Sequence, residues 1–154
     1  MAVDGDGFAF GWDGSRCGAP VDVLPAGNVT VSCPAPRWCM VANRRSYTAI
    51  WDGSWRGPSF VDPEAMKISQ PAGETSPVSW GQGDFGVLGL ACASPKMCAE
   101  IDDAGYAVTF DGFHWSAPSH IAQPSDNLET VGCGPGICVA LVDDGSPTLY
   151  RPTR

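Results

Sequence analysis

The chain has 154 residues, of which 19 are Gly, 14 are Pro and only 17% are charged, and its formal net charge is −8. So much Gly and Pro excludes a fold of long helices, and the acidic balance excludes a nucleic-acid partner, whose phosphates need Lys and Arg. Six Trp, six Phe and three Tyr exclude disorder, and no apolar run is long enough to insert in a membrane.

In chain order, the first element is an acidic turn, Val3-Asp4-Gly5-Asp6-Gly7, followed by an aromatic strand over Phe8–Trp12. Asp13-Gly14 then predicts a two-residue hairpin turn, because both positions favour positive φ. Cys17 and Pro20 follow. The second unit begins with an apolar stretch, Val29–Cys33, and a turn-rich loop to Cys39. Then come a short apolar run (Met40-Val41-Ala42), a polar turn (Asn43-Arg44-Arg45-Ser46), an aromatic strand (Tyr47–Trp51), Asp52-Gly53, Trp55 and Pro58. Residues 63–85 carry Gly, Pro, Ser and Trp80 without periodicity and are expected to be an inserted loop.

The third unit repeats the second: Val87–Cys92, Cys98, Ala99-Glu100-Ile101, Asp102-Asp103-Ala104-Gly105, Tyr106–Phe110, Asp111-Gly112, Trp115 and Pro118. The fourth runs through Leu128–Cys133, Cys138, Val139–Val142, Asp143-Asp144-Gly145 and Thr148–Tyr150, and stops without its Asp-Gly. The polar turns recur at intervals of about 39, 59 and 41 residues. The chain therefore reads as a single repeat domain with units at about 1–28, 29–62, 86–127 and 128–154. Each complete unit is four short strands, A to D.

The seven Cys fall into three local pairs and one remainder. Cys33/Cys39, Cys92/Cys98 and Cys133/Cys138 each predict a disulfide across an A–B turn, in an oxidising compartment. Each small loop contributes roughly 2 kcal/mol in the chain-entropy model. Zinc is the rival reading, but the C-x2-C spacing is missing and His114 and His120 stand apart. Cys17 occupies the place of Trp55 and Trp115, which predicts a buried free thiol or, alternatively, an intermolecular disulfide. The start, Met1-Ala-Val-Asp-Gly-Asp, has neither the basic stretch nor the apolar run of a secretory leader, so secretion implies a leader already removed.

Tandem four-stranded units of about 40 residues predict an all-β, β-propeller-like fold of about three and a half units. A β-trefoil, also threefold and of similar length, is the alternative. The run from Cys92 to Pro118, and next to it Cys33 to Pro58, resembles the tandem Cys-pair/Asp-Gly-x-x-Trp repeats of secreted or cell-surface actinobacterial proteins. That resemblance implies a propeller-like extracellular domain. Asp-Gly-x-x-Trp is also similar to the Asp-box of sialidase-type propellers, but the preceding Ser-x is absent and no sialidase residue is carried over.

In an up-and-down unit the Cys turns and Asp-Gly turns share one face, and the acidic B–C turns share the other with the insertion. Arg44, Arg45, Asp102 and Asp103 on that second face are candidate ligand-binding residues, although Asp and Asn are also simply good turn formers. Trp38 and Trp80, outside the repeat pattern, are candidate stacking platforms. The repeated Trp12, Trp51, Trp55 and Trp115 are expected to space the units. Asp4-Gly-Asp6-Gly starts like a calcium loop, but no Glu stands at the twelfth position, so no metal and no cofactor is expected.

Gly-x-Ser-x-Gly, His-Glu-x-x-His and P-loop motifs are all missing, and no catalytic residue is assigned. The expected function is a non-enzymatic, lectin-like recognition module binding a carbohydrate, a cell-wall polymer or a protein. One alternative is an assembly unit, self-associating or joined to the rest of a larger chain through its incomplete end units. Another is a glycan-active enzyme using dispersed carboxylates, from Glu64, Glu74, Glu100 and Glu129.

Overall fold

The computed structural model describes residues 1–62, 86–122, 128–143 and 145–150. The expected insertion, with Glu64, Glu74 and Trp80, lies outside the described residues. Four antiparallel sheets follow one another along the chain. The first holds β1 (Ala2–Val3), β2 (Phe8–Phe10) and β3 (Val21–Asp22). The second holds β4 (Val29–Ala35), β5 (Trp38–Asn43), β6 (Tyr47–Trp51) and β7 (Trp55–Phe60). The third holds β8 (Val87–Ser94), β9 (Met97–Asp102), β10 (Tyr106–Phe110) and β11 (Ser119–His120). The fourth holds β12 (Leu128–Gly134), β13 (Ile137–Val142) and β14 (Pro147–Tyr150).

Every strand pairs only with its sequence neighbours, and each repeat closes as its own meander. This is propeller-like architecture, and it excludes the trefoil. The sheets are blades, packed face to face. One apolar cluster (Ala9, Val23, Leu24, Val41, Ala49) joins the first and second blades. A second (Trp38, Met40, Ala42, Leu90, Cys98, Phe110) joins the second and third. A third (Ile101, Ala107, Ala122, Leu128, Ala140, Val142) joins the third and fourth.

The sandwiching explains the sequence pattern. A B strand is covered on both faces, so β5 is buried along its whole length and β9 nearly so. Such a strand reads as a continuous apolar run rather than an alternation. Outer strands are brief or exposed: β3 and β11 have two residues each, and β7 is mostly exposed and carries Pro58. Short or proline-bearing edges resist pairing with other chains.

The inner strands touch directly. The Cys92 amide donates to Ser32 Oγ at 3.0 Å, tying β8 to β4. On the other side a Cβ at Gly89 would stand 3.2 Å from Val131 Cγ1, so the missing side chain lets β8 approach β12 closely. Three disulfides, Cys33–Cys39, Cys92–Cys98 and Cys133–Cys138, bridge the A–B hairpins. In the third and fourth blades they join residues directly opposite in register. Their presence fits an oxidising environment. Among the described residues no helix is long and apolar enough to cross a membrane.

Candidate functional site

Two places stand out, one on each face. The first lies beside the Cys and Asp-Gly turns of the first two blades. There a cleft of about 760 Å³ is lined by Trp12, Trp51, Trp55, Pro34, Pro36 and the Cys33–Cys39 disulfide. The turns around it are held from within. Asp13 Oδ1 accepts the Ser15 and Arg16 amides at 2.8 and 2.9 Å, and these bonds hold its carboxyl below the usual range. Asp111 does the same for Phe113 and His114 in the third blade.

Trp12 departs from its expected role as a spacer: it is 59% exposed. The cause is Cys17. In the third blade Phe110 is bridged to Trp115, and their rings lie 5.4 Å apart. In the second blade Trp51 is opposite Trp55. In the first blade Trp12 is bridged to Cys17, which supplies no ring to cover it. Cys17 itself is an exposed free thiol, not a buried one, on the outer segment of this blade.

The second place lies at the B–C turns between the second and third blades. In the first three blades such a turn begins with a side chain that caps its own backbone. Asp4 Oδ1 accepts the Asp6 and Phe8 amides, Asn43 Oδ1 those of Arg45 and Tyr47, and Asp102 Oδ1 those of Ala104 and Tyr106. The last two bonds are 3.0 and 2.7 Å. The fourth blade has Val142 at this position. The fourth residue of each turn has positive φ: Gly7, Gly105 and Gly145, but Ser46 in the second blade, at 59°.

Ser46 is fully buried, and its Oγ donates to Glu100 Oε1 at 2.7 Å. Glu100 is itself buried on β9. Burial pushes its carboxyl up to about 8, the Ser46 bond opposes this, and the charges of Asp62 and Asp102 add to it. Burial likewise raises Asp102 to about 7, against the pull of the Tyr106 amide, with Asp62 and Asp103 raising it further. Asp103, half-buried, is raised by burial, while the Gly86 amide at 2.9 Å and the charge of Arg44 lower it. Arg44 also accepts the Val87 amide on its carbonyl, so the turn of the second blade grips the start of β8.

The expected constellation is thus partly assembled. Arg44, Asp102 and Asp103 come together, and Arg45 sits on the same turn as Arg44. Trp38 is 8% exposed and packed in the core between the second and third blades, leaving no open ring face for stacking. Glu129 is exposed, far in character from the buried Glu100. His114 lies 3.9 Å from Asp111 and is exposed, and His120 stacks edge-on against Tyr106. Among the described residues no group of three or more His, Cys, Asp or Glu is arranged to hold a metal ion.

Sequence reading missed Ser46, Asp62 and the true setting of Glu100. The signal was present in the repeat itself. Two residues beyond the second Cys of each pair stand Val41, Glu100 and Ala140, so the carboxyl occupies an apolar position.

No protein-family model and no curated protein matches the chain. Solved structures do. YCF48 bound to D1 peptide is 14% identical with a TM-score of 0.59, over 96% of this chain and 44% of that one. YCF48 from Cyanidioschyzon merolae is 13% identical with a TM-score of 0.59, over 96% of this chain and 45% of that one. The chain thus spans less than half the length of the structures it matches, and at such identity the likeness is one of fold: the β-propeller.

Proposed function

We propose that the chain is a non-enzymatic recognition module of a secreted or cell-surface protein, and that it binds an extended segment of a protein partner in the cleft between its first and second blades. The observation that carries this reading is the open ring of Trp12 above an aromatic and proline-lined cleft. Exposed tryptophan in a concave apolar site is a typical binding anchor. The walls are braced, because a disulfide and the turn capped by Asp13 fix them. The net charge of −8 favours a partner segment bearing Lys or Arg beside its apolar residues. A protein of the same fold, YCF48, has been seen with a peptide bound, which supports a peptide ligand for this chain. The three disulfides support an extracellular setting.

The test is a random peptide library panned on the intact protein, followed by calorimetry with the enriched peptides. The reading predicts enrichment of apolar-basic peptides that Trp12→Ala weakens at least about tenfold, the loss expected of a binding hot spot. Trp12 is exposed, so the variant folds. Peptides that bind wild type and Trp12→Ala equally would move the site elsewhere. Selective binding on a glycan array, with no peptide enriched, would favour the carbohydrate class instead.

A further inference from the structure

The three blade junctions are built from equivalent positions, and the middle one breaks the pattern at all of them. Between the first and second blades the positions hold Gly7, Leu24 and Val41, and between the third and fourth they hold Gly105, Ala122 and Ala140. In each of these junctions the glycine carbonyl accepts the amides that anchor the end of the outer strand, from Val23 and Leu24 or from Ile121 and Ala122. Between the second and third blades the Ser46 carbonyl accepts the Val61 amide, and the positions hold Ser46, Asp62 and Glu100. Three apolar or glycine positions have become three polar ones, all buried, within one junction.

We infer that Ser46, Asp62 and Glu100 form a proton-holding latch between the second and third blades: Glu100 joins the packed junction as a neutral acid, and its ionisation destabilises the joint.

The geometry leaves little alternative. Glu100 sits on the β9 face that also carries Cys98 and Asp102, turned towards the second blade. One carboxyl oxygen is engaged by Ser46, while Oε2 is buried without a partner. A buried charge with an unsatisfied oxygen is costly, and a neutral acid in the same place is far less so. Among the described residues, the ionisable groups acting on Glu100 are Asp62 and Asp102, both acids. Arg44 acts on Asp103, at the rim of the junction. The remaining ionisable groups on the strands beside β9 are Tyr106, stacked on His120, and the exposed Glu129.

The direction of the pH response follows. Glu100 titrates near 8 when folded, against 4.5 ordinarily. Between those values the folded chain holds a proton that the unfolded chain has released. Stability is therefore full below about 4.5, declines as pH rises, and has lost the whole contribution above about 8. The proton goes to solvent.

Infrared difference spectroscopy and thermal unfolding of the intact chain, from pH 5 to 9, test the latch. Wild type is expected to show the carbonyl band of a protonated carboxylic acid at pH 6 that fades towards pH 9. Glu100→Gln, which keeps the shape without the charge, removes the Glu100 share of that band and leaves the share of Asp102, which is itself pushed up to about 7. It also loses less melting temperature between pH 6 and 9 than wild type, by on the order of 5 °C or more. Ser46→Ala, which deletes the bond favouring the ionised form, moves the fading of the band to higher pH. A purely structural role for Ser46 would lower the melting temperature without moving that titration. Absence of the band in wild type at pH 6, or parallel melting curves for wild type and Glu100→Gln, overturns the latch. Should Glu100→Gln fail to fold, Asp102→Asn decides the matter, because a band that persists in it at pH 6 and fades towards pH 9 belongs to Glu100, and its loss there overturns the latch.

Discussion

Ser46 adopts a backbone conformation that the other three blades give to glycine, and from it reaches Glu100 on the next blade at 2.7 Å. A Cβ at φ 59° costs about 1 kcal/mol or more. The hydrogen bond, and the satisfied buried oxygen at its other end, offset that cost. The two contributions separate by substitution. Ser46→Ala keeps the strain and loses the bond, so it should destabilise by roughly 1–3 kcal/mol. Ser46→Gly loses the bond but relieves the strain, and should fall about 1 kcal/mol above Ser46→Ala. Urea denaturation at pH 6 ranks them. An alanine variant more stable than the glycine variant would refute the account of strain.

Asp102 caps two amides of its turn while being pushed up to about 7, so one side chain is asked to be both acceptor and buried acid. Asn43 solves the same problem one blade earlier with an amide: its Oδ1 caps the turn, and its Nδ2 donates to the Pro25 carbonyl at 2.8 Å. Asp102→Asn should therefore keep both caps. Because Asp102 holds its proton in the folded state above its ordinary 3.8, stability falls as pH rises from there to about 7. Asp102→Asn removes that loss, so the variant gains on wild type as pH rises through this window and keeps the gain above it. Asp102→Ala also removes that loss but leaves the Ala104 and Tyr106 amides unpaired, so it should run about 1–3 kcal/mol below Asp102→Asn at every pH. Melting temperatures across pH 4 to 8 distinguish the two.

The blades were legible because their local signals agree: paired Cys, aromatic strands and Asp-Gly turns recur in the same order in successive units. Glu100 was not legible from composition or periodicity. It stands inside a run, Ala99-Glu100-Ile101, that ordinarily marks a fully buried strand, and only the third dimension shows which blade its side chain meets. Asp62 was hidden for the same reason: nothing local marks the residue after Val61 as packed against β9 rather than in a solvated loop. Trp38 misled in the opposite sense. It lies outside the aromatic repeat, yet it fills the junction alongside Phe110 and Leu90. An aromatic residue between two blades can come from either strand facing it, so the core does not need the repeat to be regular.

Cys17 should be the one thiol that reacts in the native protein. The other six cysteines are paired in disulfides, and Cys17 is exposed. A thiol-specific chromogenic reagent is expected to titrate about one equivalent per chain without denaturant, and none in Cys17→Ser. Further thiols appearing only after reduction would agree with the three hairpin bridges. More than one equivalent in the untreated native protein would show that a bridge is incomplete.

Replacing Cys17 with Trp should close the first blade in the manner of the third. The Phe110–Trp115 pair shows the geometry, with ring centroids 5.4 Å apart across the turn. A ring at position 17 would cover Trp12, adding roughly 0.5–1.5 kcal/mol from the aromatic pair beyond the area it buries. Trp12 would lose access to iodide quenching, and the peptides that bind the wild-type cleft would bind more weakly. Stability and binding would thus move in opposite directions from one substitution. That opposition is the expected signature of an anchor left uncovered for a partner. Should Cys17→Trp raise stability while leaving peptide affinity unchanged, the Trp12 ring is merely exposed, and the cleft does not depend on it.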